Sequence, residues 1–136
     1  MHLRVLKEKE KKGLIDLAFY LFNLDGEFDE HEQNFISIYS HATMMNLSAY
    51  LPQKQSLQQI YLQYKDSSVI VKESIYYELV FLTYRNHIPT EKELKFLENL
   101  RLEWDINEEK HKKALLDIKE MQSIQSKKQV NGENLQ

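Results

Sequence analysis

Residues 14–24 read Leu-Ile-Asp-Leu-Ala-Phe-Tyr-Leu-Phe-Asn-Leu, and no other stretch constrains the fold as strongly. The polar exceptions Asp16, Tyr20 and Asn23 stand at i, i+4 and i+7, so they share one face of a helix whose other faces are apolar. Such a helix must be covered by neighbours, which makes it a central helix of a bundle. The run is too short to span a bilayer, which takes about 20 apolar residues, and no membrane insertion is expected. The chain carries only 3 Gly and 2 Pro in 136 residues, too few for the turns of a sandwich or barrel, so the remainder is expected to be helical as well. A chain of this length buries roughly two-thirds of its unfolded surface.

Cap chemistry divides the chain. A first helix is predicted over 8–24, opening on the solvated charged run 7–12 and closing at Asp25-Gly26, where glycine suits a left-handed C-terminal residue. Asp29 followed by Glu32 has capping-box spacing, with Phe28 at the staple position, and starts a second helix carrying Phe35, Ile36 and Tyr39. Leu57, Ile60, Tyr61 and Tyr64 keep a helical period and predict a third helix over 51–65, started by Ser48 or Pro52. Ser67 is the predicted cap of a fourth, strongly apolar helix running to Arg85. Thr90 and Glu93 repeat the capping box before a fifth helix with Leu94, Phe96, Leu97, Leu100 and Trp104. Asn107 caps a sixth, with Ala114, Leu115, Ile118 and Met121. Residues 1–125 therefore form one all-α domain, and residues 126–136 are expected to be a polar, disordered tail.

The two halves echo each other. Asp29, Glu32, Phe35 and Ile36 match Thr90, Glu93, Phe96 and Leu97 at constant offset, each set following an apolar helix and a short loop. Six helices in two pseudo-symmetric halves are the expected architecture, with the first and fourth helices meeting at the centre.

Several function classes are excluded by composition. With no cysteine there is no disulfide, zinc–thiolate site or thiol catalysis, in keeping with a cytoplasmic location, and the N-terminus has no signal-peptide pattern. The net charge of −3, with both signs interspersed, gives no electrostatic case for nucleic acid. There is no glycine-rich phosphate loop and no nucleophile elbow. His31-Glu32 lacks the second histidine of a zincin helix, and no enzyme activity is expected.

Two sets of residues remain as candidate sites. Asp25, Glu27 and Glu32 place carboxylates close together around one loop. Their mutual repulsion is relieved by a hard divalent cation such as Ca²⁺, Mg²⁺ or Mn²⁺, and Glu93 would join if the two halves meet. The same residues are more simply read as a turn and a helix cap, and the spacing is not that of an EF-hand. The second set comes from the chain's 8 tyrosines, which concentrate in the third and fourth predicted helices. Tyr61, Tyr64 and Tyr77 are candidates for a partner-binding face, because tyrosine combines an apolar body with a polar tip. A protein partner or a homo-oligomer is expected there.

Residues 21–32, Leu-Phe-Asn-Leu-Asp-Gly-Glu-Phe-Asp-Glu-His-Glu, resemble the signature of the TerB-like (tellurite-resistance) family. That signature is an apolar helix ending in Asp-Gly, then an apolar residue, here Phe28, with Glu32 four residues later. The resemblance implies an all-helical bacterial intracellular module linked to tellurite resistance or stress response, non-enzymatic, with a divalent cation at the acidic loop. The second half departs from the pattern: Asn86-His87 stands where a second Asp-Gly would be.

Overall fold

A computed structural model describes residues 6–24, 56–84 and 88–134, with side chains as far as residue 124. Five helices account for almost all of these residues: α1 (Glu8–Asn23), α2 (Leu57–Gln63), α3 (Val69–Tyr84), α4 (Glu91–Glu103) and α5 (Glu108–Asn134), with no strand among the described residues. The predicted helix starting at Asp29 lies outside them.

α3 is the hub. It packs against α1, α4 and α5, while α1 also packs against α2. Its sequence, with Val71, Ile75, Tyr76, Leu79, Val80 and Leu82 all buried, is apolar on nearly every side, as a helix with neighbours all round must be. The expected meeting of the first and fourth predicted helices corresponds to the α1–α3 contact. Leu14, Leu17, Leu21, Ile60, Ile75, Leu79, Leu97 and Leu100 are completely enclosed in the shared core.

Cross-helix contacts set the directions. Tyr20, near the end of α1, meets Phe96, in the first half of α4, as a tilted ring pair with centroids 5.3 Å apart. At the other end the Tyr64 hydroxyl donates to the Glu10 carbonyl at 3.0 Å while its ring meets Trp104 edge-on at 5.2 Å. α1 and α4 therefore run antiparallel. In contrast, α3 and α5 run parallel: Glu73 pairs with Lys110, Tyr76 with His111, and the Tyr84 carbonyl accepts from Gln122 at 2.9 Å.

The caps are partly as predicted and partly displaced. Thr90 Oγ1 accepts from the Glu93 N–H and Glu93 returns the bond to the Thr90 N–H at 3.0 Å, a complete capping box. Asn107 Oδ1 accepts from the Lys110 N–H at 2.9 Å. Ser56 caps α2 in a reciprocal box with Gln59, later in the chain than the predicted Ser48 or Pro52 start. The cap of α3 is Ser68, whose hydroxyl accepts from the Val71 N–H at 3.2 Å, one residue beyond the predicted Ser67. Ser67 is instead drawn to α1, donating to Glu10 Oε2 at 2.7 Å. That pairing explains a second correction: Glu10, in a run expected to be solvated, is buried, with Oε1 accepting from the Lys7 N–H and Oε2 from Ser67.

Between α4 and α5 the chain turns through Asp105 at φ 53°. The Asp105 N–H donates to the Leu102 carbonyl and the Ile106 N–H to the Arg101 carbonyl, a Schellman pair closing α4 without a glycine. The Arg101 guanidinium reinforces the corner by donating to the Ile106 carbonyl at 2.9 Å and forking onto Glu98. The α5 backbone stays helical past residue 125, to Asn134.

Candidate functional site

Because α3 and α5 run side by side and in one direction, their facing edges leave a long groove. Ile70, Glu73, Ser74, Tyr76 and Tyr77 line it from α3, Lys110, Lys113, Ala114 and Asp117 from α5, and Ile106 from the corner. Its volume is about 480 Å³, room for a few side chains of a docked segment. Positions 70, 73, 74 and 77 recur at helical spacing, as do 110, 113, 114 and 117, so each helix offers one continuous edge.

The floor is apolar and the rim is charged. Ile106 and Ala114 are buried at the bottom. Ile70, in the α3 wall, stays 63% exposed, although its residue type suits a core helix. Glu73 is neutralised by Lys110. Asp117 lies against Tyr77; burial, reinforced by this carboxylate, pushes the Tyr77 phenol above its ordinary range. Lys113 is exposed and makes no ion pair among the described residues, so its ammonium is open to an incoming carboxylate.

The candidates named from sequence are dispersed. Tyr77 alone of the three tyrosines lines the groove. Tyr64 is enclosed between α1 and α4, its hydroxyl bonded to Glu10. Tyr61 is half-buried and its hydroxyl is enclosed without a hydrogen-bond partner. Burial, then the charges of Glu103 and Tyr20, push that phenol up to about 12. Glu93 is 4% exposed in the first turn of α4, one carboxylate oxygen committed to the capping box. Asp25, Glu27 and Glu32 lie outside the described residues. Among the described residues no group of three or more His, Asp or Glu side chains is arranged to hold a metal ion. No helix among them is long and apolar enough to cross a membrane.

One contact was not foreseen. Under the groove Tyr76 and His111 meet, hydroxyl oxygen to Nδ1, at 2.5 Å. The signal available in sequence was slight: a tyrosine in an apolar helix and a histidine in a charged first turn. Comparison with protein-family models, curated proteins and solved structures finds no match.

Proposed function

We propose that this chain is a non-enzymatic binding module that receives an amphipathic helix of a partner protein in the α3–α5 groove. The carrying observation is the exposure of Ile70 beside Tyr77, over an apolar floor. Large apolar side chains gathered at one concave edge, rather than scattered, mark an interaction surface. Helix-in-groove recognition reads an apolar stripe at i, i+3, i+4 and i+7, which matches a groove lined by two helical edges. Lys113, exposed and outside any ion pair among the described residues, offers its ammonium to an Asp or Glu flanking the stripe.

Selection from a library of displayed amphipathic helices on the intact chain provides the test. Recovered helices should carry acidic flanks, shift the amide resonances of Ile70, Tyr77 and Ala114, and bind roughly tenfold or more weakly to Ile70→Asp and Lys113→Glu, as expected for anchor positions. Binders that map elsewhere, or sedimentation showing that a second copy of the chain fills the groove, would replace this partner.

A second reading rests on the spacing of residues 21–32. It makes the domain a TerB-like module of six helices in two related halves, tuned by a divalent cation at Asp25, Glu27 and Glu32, with Glu93 contributing from the second half. The Thr90–Glu93 box supports the echo in one half, and the signature supports the cation. Calorimetric titration of metal-stripped protein with Ca²⁺, Mg²⁺ and Mn²⁺ should give binding heat that Asp25→Ala/Glu32→Ala abolishes. Absence of heat with every ion reduces the loop to a turn and a cap.

A further inference from the structure

The Tyr76–His111 contact joins the two walls of the groove. Tyr76 is 2% exposed, and His111 is its one hydrogen-bond partner among the described residues. That fixes the direction of the bond. If the phenol accepted a proton from Nδ1, its own hydrogen would be buried with no acceptor, which is costly. The phenol therefore donates, and neutral His111 carries its hydrogen on Nε2.

We propose that Tyr76 and His111 form a proton-sensitive latch on the α3–α5 seam, closed while the imidazole is neutral and released when it gains a proton. A protonated Nδ1 presents a hydrogen where the phenol already presents one, and at 2.5 Å both cannot lie between the two atoms. The phenol must turn away, leaving its hydrogen without a partner in the seam.

The surrounding charges decide whether this happens at an accessible pH. From α3, Tyr76 faces the ring directly, and Glu73 one turn away is occupied by Lys110. From α4 come Arg101, which repels an imidazolium, and Glu98, which attracts it but is already forked by Arg101. From α5 itself Glu108 attracts, and the neighbouring Lys110 and Lys112 are engaged with Glu73 and Glu108. Burial outweighs these and holds the imidazole below its ordinary range. His111 nonetheless remains partly exposed, so protons reach it.

The latch needs no partner to operate, and its test leaves the docking reading untouched. Nitrogen NMR of the His111 ring should give the Nε2–H tautomer at neutral pH and a pKa below 6.5, the unperturbed value. Hydrogen exchange of amides 108–118, corrected for intrinsic rate, should accelerate several-fold as pH falls from about 7.5 to 5.5 across the histidine range. In Tyr76→Phe the pKa should rise toward 6.5 and the pH-dependent part of the exchange should vanish. His111→Gln, whose amide oxygen can still accept from the phenol, should exchange slowly at both pH values. A wild-type His111 pKa at or above 6.5, the Nδ1–H tautomer, or the same pH response in either variant would overturn the latch. The wild-type titration decides even if a variant fails to fold.

Discussion

Gly13 has no side chain because Tyr64 occupies the place of one. A Cβ built on Gly13 would stand 2.1 Å from the Tyr64 hydroxyl and 2.7 Å from Cζ. Mid-helix glycine costs about 1 kcal/mol relative to alanine, so the sequence alone suggests that Gly13→Ala would stabilise α1. The structure reverses the sign. Overpacking of this kind costs about 1–3 kcal/mol, and displacing the ring also breaks its bond to Glu10. Urea denaturation should find Gly13→Ala destabilised, with a smaller penalty in a Tyr64→Phe background; a gain in stability would contradict the packing. The same contact explains a limit of sequence inference. Tyr64 reads as a candidate for a partner face because its spacing is helical, yet what it touches lies 54 positions away and leaves no local trace. Asp105 is similar: its left-handed conformation is normally announced by glycine, and here it is held by the Schellman pair and Arg101.

At the scale of elements, local chemistry was the legible part. Thr90 with Glu93 and Asn107 with Lys110 obey cap rules confined to four residues, so spacing alone located them. Thr90→Ala should therefore cost about 1 kcal/mol in a thermal or urea melt, with Thr90→Ser nearly neutral. Equal losses in both would show that the methyl group, not the hydroxyl, matters there. Ser67 and Ser68 are indistinguishable by that logic; only the buried Glu10 of α1, which recruits Ser67, decides between them. The groove was not legible for a related reason. Ile70 and Tyr77 have the residue types of a core helix, and their exposure depends on how far apart α3 and α5 lie. The acidic candidates Asp25, Glu27 and Glu32 lie outside the described residues, so their geometry adds nothing to what their spacing implies.

Across the whole molecule, four tyrosines share one electrostatic character. Burial raises the phenols of Tyr61, Tyr76, Tyr77 and Tyr84 above the usual value of 10.0. In the unfolded chain each loses its proton near pH 10, while in the fold it keeps it. The unfolded state then binds fewer protons, so stability is fully present below about pH 10 and falls as pH rises through the folded values. Melting temperature should be level from neutral pH to about 9.5 and then drop, less steeply in Tyr77→Phe/Tyr84→Phe. A pH-independent melt up to about 11 would mean that these phenols ionise as freely as in the unfolded chain.

The Tyr64–Trp104 contact has a consequence for how the domain assembles. α3, α4 and α5 follow one another closely in the chain, whereas α1 is tied in through Glu10, Tyr64 and Ser67 across more than fifty residues. Trp104 is the chain's one tryptophan, and it sits where α2 meets the end of α4. Its emission therefore reports long-range docking, while circular dichroism reports helix content wherever it occurs. Coincident transitions by the two signals would mark a single cooperative unit. An emission change that precedes helix loss would mean that α1 and α2 detach from a three-helix remnant before it unfolds.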